Sequence, residues 1–221
     1  MAIFGYRQTN SSGQVQIDQS YQNLVLIASG TTTCGTTVSF APQTNPPLVA
    51  IGVTSAGCYG VLGLCSTTQF RVDSKGGGDF SFPYRVYAPI NTAPAAGTYG
   101  MRVFNAAGDR TFDSNFSYLN VRYVAEVSAA QFPSAFQGSG VQALTIGHSV
   151  GGSPFAIMNG SFITSRVVAP GNQVWYFIAP ALCLPNNTQV TFCEWVYNAQ
   201  PITPDSFDSR TTASFNLLIG T

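Results

Sequence analysis

The chain has 221 residues, 45% hydrophobic and 8% charged, with a formal net charge of zero at pH 7. That length supports a packed core, and the apolar content excludes a disordered polymer. Lys75 is the one lysine and the arginines are scattered from Arg7 to Arg210, which argues against nucleic-acid binding and attachment to anionic membranes, since both need clustered cations.

So little charge implies a surface covered by partners or kept polar by Ser, Thr, Asn and Gln. Either suits an assembly component better than a free enzyme. The first ten residues, MAIFGYRQTN, lack the basic start and apolar run of a secretory leader. No apolar stretch nears the roughly 18 residues of a membrane helix. Synthesis in a cytoplasm without membrane insertion is the expectation.

Gly, Pro, Ser, Thr and Asn recur too often for helices, and short β-branched and aromatic runs lie between them. In chain order the expected strands are Leu24–Ile27, Thr36–Phe40, Leu48–Val53, Phe80–Tyr87, Gly100–Phe104 and Tyr118–Val127. Val141–Ile146, Phe162–Val168, Val174–Ile178, Val190–Tyr197 and Ser214–Ile219 follow. Several alternate as half-buried strands do, which predicts an all-β chain with an antiparallel sandwich or barrel-like architecture. The segment VSAAQFPSAFQGSG, rich in small residues, suits a crossing between two small β domains. The predicted division is 1–126, a linker at 127–140, and 141–221.

Repeats add a specific feature. Residues 4–24, FGYRQTNSSGQVQIDQSYQNL, align without a gap to residues 99–119, YGMRVFNAAGDRTFDSNFSYL. Gly5/Gly100, Arg7/Arg102, Asn10/Asn105, Gly13/Gly108, Asp18/Asp113 and Leu24/Leu119 are identical. Each copy predicts a hairpin with an Asn-x-x-Gly turn whose glycine adopts positive φ. The repeated aspartate is placed to bond backbone amides of the following turn. The motif, aromatic-Gly-x-Arg, Asn-x-x-Gly, then an apolar-Asp pair, resembles small β-rich tail tip and baseplate proteins of long-tailed bacteriophages. The resemblance covers the two hairpins. It implies a structural virion component at the tail tip, repeated by symmetry with a trimer favoured, in contact with other tail or baseplate proteins and close to a host receptor. It carries no catalytic residues.

Other signals look like chemistry. Gly147-His148-Ser149-Val150-Gly151 matches the G-x-S-x-G nucleophile elbow. A triad needs a separate histidine as base, and His148, the one histidine, adjoins the serine. A turn between strands is the better reading. Glu126, Glu194 and the aspartates satisfy no spacing rule for paired-carboxylate sugar cleavage. Gly76-Gly77-Gly78 after Lys75 lacks the phosphate-loop spacing and predicts a hairpin tip. Cys34, Cys58, Cys65, Cys183 and Cys193 are odd in number, and neither their spacing nor one histidine makes a zinc set. Buried thiols are expected, with no metal and no cofactor. Trp175, Tyr176, Trp195 and Tyr197 either fill a core or form a platform for a partner or glycan. A non-catalytic structural subunit is therefore the leading expectation. A receptor- or carbohydrate-binding module is the alternative, and an esterase or polysaccharide depolymerase comes third.

Overall fold

Strand periodicity dominates the structure as it does the sequence. The computed structural model describes residues 7–9, 11, 15–18, 23–75, 80–93, 97–127, 143–158, 163–169, 172–201 and 215–220. Every regular element among them is a β-strand: β1 (Arg7–Thr9), β2 (Val15–Asp18), β3 (Leu24–Thr33), β4 (Thr37–Ser39), β5 (Leu48–Ile51) and β6 (Tyr59–Cys65). Next come β7 (Gln69–Lys75), β8 (Ser81–Pro89), β9 (Arg102–Phe104), β10 (Arg110–Asp113), β11 (Val121–Val127) and β12 (Ala143–Gly147). The chain closes with β13 (Phe155–Ile157), β14 (Ile163–Ala169), β15 (Asn172–Asn186), β16 (Gln189–Pro201) and β17 (Phe215–Gly220). For β1, β2, β14 and most of β15, β16 and β17 the description is of the backbone.

Two large antiparallel sheets form a sandwich that is not closed into a barrel. One has six strands in the order β11-β17-β13-β5-β8-β3. The other has seven, β12-β16-β15-β6-β7-β4, with β14 also paired to β15. Each sheet draws strands from both sides of 127–140: β13 lies between β17 and β5, and β15 joins β6. The backbone ladders thus cross the expected division into two successive domains. Of the linker, residues 128–140 lie outside the described residues.

Alternation explains the core. In β7, Phe70 and Val72 are fully buried between the sheets while Arg71 and Asp73 point away and pair with each other at 2.7 Å. Val49, Ile51, Phe82, Val86, Leu182, Leu184, Val190 and Ile219 belong to the same core. The opposite face of β5 is buried too, through Ala50 against Tyr87 and Ile157. A third cluster, Val25, Ile90 and Ala93 with Phe116 and Tyr118, attaches the region of the second hairpin to the end of the six-stranded sheet.

The strand expected at Val174–Ile178 runs on through Pro180 to Asn186. A proline removes a ladder donor, which is tolerated where pairing is interrupted. Pro180 falls between Ile178, the end of the pairing with β14, and Leu182, the partner of Gly60 on β6. One edge of β15 changes neighbours there.

Candidate functional site

The two hairpins are the natural starting point, because their sequences make the same demands. In the first, Arg7 pairs with Asp18, Gln8 with Ile17 and Thr9 with Val15. In the second, Arg102 pairs with Asp113, Val103 with Phe112 and Phe104 with Arg110. Every pair is displaced by the same 95 positions, and both copies skip one residue at the matching place, Gln16 and Thr111. β2 and β10 also lie near one another.

The second turn shows why Asn-x-x-Gly recurs. Asn105 Oδ1 accepts from the amides of Ala107 (3.0 Å) and Asp109 (2.8 Å), and its Nδ2 donates to Asp109 Oδ2 (2.9 Å). The Gly108 amide closes the turn on the Asn105 carbonyl at 3.0 Å, with Gly108 at φ +85°. Positive φ is costly for any residue with a Cβ. Gly100 has a different reason. At φ +140° its Cβ would meet Ser114 Oγ at 2.5 Å and Asn115 Nδ2 at 2.7 Å. The expected turn at Asn10–Gly13 lies outside the described residues except for Ser11.

At the open end of the second hairpin the fully buried Asp113 collects a network. Its Oδ2 accepts from Arg102 Nε at 2.9 Å and Arg110 Nη1 at 3.3 Å. Its Oδ1 accepts from the Asn115 amide at 3.0 Å and Asn115 Nδ2 at 2.9 Å. The Asp113 amide donates to the Tyr118 hydroxyl (2.7 Å), which donates back to the Asp113 carbonyl (2.8 Å). Arg110 Nη2 donates to the carbonyls of Ile90 (2.8 Å) and Ala93 (2.6 Å), tying the hairpin to the turn after β8. Arg102 Nη2 reaches the Gly97 carbonyl at 2.7 Å.

Burial alone would raise the Asp113 pKa. The bonds from Asn115, together with the bond and charge of Arg102, outweigh it and hold the carboxyl below its ordinary range. Both oxygens are engaged by structural donors, so this carboxylate has little capacity left for acid–base work. The expected capping role of the aspartate is present at Asp113.

No family model, curated protein or solved structure matches this chain.

The G-x-S-x-G segment borders a cleft of about 360 Å³ lined by Arg122, Ser149, Val150 and Gly151. Gly147 ends β12, and an irregular loop leads to β13, with no helix after the serine. Ser149 is exposed, whereas His148 is buried, its ring centre 6.1 Å from that of Tyr123. His148 Nδ1 accepts from the Val150 amide at 3.3 Å, and Nε2 has no hydrogen-bond partner among the described residues. Burial lowers the imidazole pKa, against a smaller upward pull from the Gln189 backbone, whose geometry falls short of a hydrogen bond. The imidazole is thus bonded to its own loop.

The four aromatic candidates fall on adjacent strands. In the β15–β16 ladder Trp175 is opposite Gln200, Tyr176 opposite Ala199 and Trp195 opposite Ala179. Tyr197 is the residue skipped where Phe177 pairs with Asn198 and Ile178 with Val196. The backbone brings the positions to one ladder; their side chains lie outside the described residues. Glu194 is opposite Pro180 in the same ladder. The glycine run, Gly76-Gly77-Gly78, lies outside the described residues. Among the described residues, no three His, Cys, Asp or Glu side chains gather as metal ligands.

Sequence reading missed Arg110 and Tyr118 as members of the network. Arg110 has no counterpart in the first copy, where Val15 stands, so the repeat gave no signal for it. Tyr118 aligns with Asn23.

Proposed function

We propose that this chain is a non-catalytic structural component of a bacteriophage tail tip or baseplate, made in the host cytoplasm and built into the virion by protein–protein contacts. The observation that carries the reading is the duplicated hairpin, equal in register and bulge across 95 residues, together with its resemblance to tail proteins. A precise local repeat suits a mounting element. Asp113 spends its acceptor capacity within the hairpin, which makes the unit stiff. The same region turns Tyr99 and Phe104 outward at 88% and 51% exposure, with Met101 beside them. Exposed large apolar side chains of this kind gain most by burial against a partner. The sparse charge of the chain agrees with such covering.

The test is immunogold labelling of particles purified from cells that encode the chain, with an antibody against it. Gold at one end of the tail supports the proposal. Protein confined to the particle-free fraction excludes it.

A further inference from the structure

The two edges of the six-stranded sheet are treated differently. The outer edge of β3 is covered by the segment that leaves the second hairpin. Val25 bridges to Tyr118, the Leu26 amide donates to the Ser117 carbonyl at 2.8 Å, and the Leu119 amide donates to the Leu24 carbonyl at 2.9 Å. At the other edge β11 is bonded to β17 on its inner side, and no described residue pairs with its outer side. Its seven residues are VRYVAEV. Tyr123 and Ala125 pack on the core, while Arg122, Val124 and Glu126 face solvent, Val124 at 58% exposure. Neither Arg122 nor Glu126 has an ion-pair partner among the described residues.

An edge unpaired among the described residues, with an exposed valine, is a template for another strand. We propose that β11 pairs antiparallel with β11 of a second copy, about a two-fold axis at Val124. The charges choose the occupant. Residues directly opposite in an antiparallel pair share a face. With the axis at Val124, Arg122 stands opposite Glu126 of the partner subunit, and Glu126 opposite Arg122 of the partner subunit. Val124 meets its own counterpart between these two pairs, and Tyr123 and Ala125 oppose each other on the core side. An axis at Tyr123 sets Arg122 against Val124, and an axis at Ala125 sets Glu126 against Val124, so both leave charges unpaired. Axes between residues put solvent-facing side chains opposite core-facing ones. One register satisfies both the charges and the faces.

The β17 ladder skips Arg122, so its side chain meets Glu126 of the partner subunit from a bulge, while Tyr123–Val127 pair regularly. The contact is isologous and closes as a dimer. With the β3 edge covered, the joined sheet does not propagate from that side. The dimer departs from the threefold order that the resemblance implies and does not depend on the virion reading, since it follows from β11 alone.

Sedimentation equilibrium of the full chain at micromolar concentration tests this, and the expected species is a dimer. Arg122→Glu and Glu126→Arg should each weaken it about tenfold, because each reverses both symmetry-related pairs. The two substitutions combined should restore the original affinity. Circular dichroism confirms that each variant is folded. Val124→Cys should form an intermolecular disulfide on mild oxidation, mapped to position 124 by peptide mass, because opposed Cα atoms lie about 4.5–5.5 Å apart. A monomer, a trimer, or a dimer indifferent to the reversals would overturn the proposal, whatever the labelling of particles shows.

Discussion

Arg102 donates from Nε to the fully buried carboxylate of Asp113 at 2.9 Å, across the open end of the second hairpin. The Cα partners at the matching place of the first hairpin are Arg7 and Asp18. Asp113 is therefore the position whose loss should be felt most.

Asp113→Asn keeps the shape and removes the charge, leaving Arg110, whose side chain is 11% exposed, without its counter-ion. Breaking one side of a buried ion pair costs about 3–5 kcal/mol. The lower end is expected here, because the Arg102 side chain is 32% exposed. Urea denaturation of the variant beside the parent measures it. A loss below about 0.5 kcal/mol, the range of ordinary surface changes, would show that the network contributes little.

Acid should destabilise the fold in two stages. The folded-state pKa values of His148 and Asp113 are both depressed, so the unfolded chain binds these protons more tightly. The His148 contribution is complete above its unfolded value of about 6.5, and the Asp113 contribution above about 3.9. Each is lost as pH falls through the folded value. Melting temperature should therefore be level near neutrality, fall gently below about pH 6.5 and fall again below about pH 4. His148→Phe should remove the first decline and leave the second.

Gly108 separates backbone strain from crowding, since an added Cβ would meet nothing within 4 Å. Gly108→Val should cost about 1–2 kcal/mol, all of it from φ +85°. Gly108→Asn should cost less, because asparagine tolerates that region. Asn105→Ala should cost about 1 kcal/mol through the lost bonds to the Ala107 and Asp109 amides. Equal losses for Gly108→Val and Gly108→Asn would contradict the turn assignment.

Ser149→Ala should leave assembly unchanged, and a serine-reactive phosphonate should not label the chain at Ser149. The reason is local: Nδ1 of the only histidine accepts from the Val150 amide. Stoichiometric labelling at Ser149 would overturn the non-catalytic reading.

Cys58 is buried beside Thr54 and Cys183. Burial, with a smaller push from Cys183, raises its pKa to about 11 despite the opposing bond from Thr54. Thiolate is the reactive form, so iodoacetamide at pH 8 should spare Cys58 in the native chain and modify it in urea. Peptide mass mapping reads the outcome, and rapid native labelling would show that this part of the core opens readily.

Features set within a few residues were legible in the sequence alone. The all-β class follows from period-two apolar runs between turn formers. The second turn follows from Asn105 and Gly108, because an Asx bond and a positive φ are properties of four adjacent residues. The register of the two hairpins is the same, as their repeated sequence predicts. Some strands were hidden for equally local reasons. β6 carries Gly60 and Gly63 in a run that reads as broken, although Gly60 sits where a Cβ would press on Phe82 at 2.9 Å. β7 mixes Arg71 and Asp73 with its apolar residues, and the two pair with each other on the face away from the core. Tertiary structure alone decided that β13 joins β5, that Arg110 reaches the carbonyls of Ile90 and Ala93, and that Ser117–Leu119 covers the edge of β3. Those choices depend on which distant surfaces meet once all strands have buried their apolar faces, and no window of neighbouring residues contains that information.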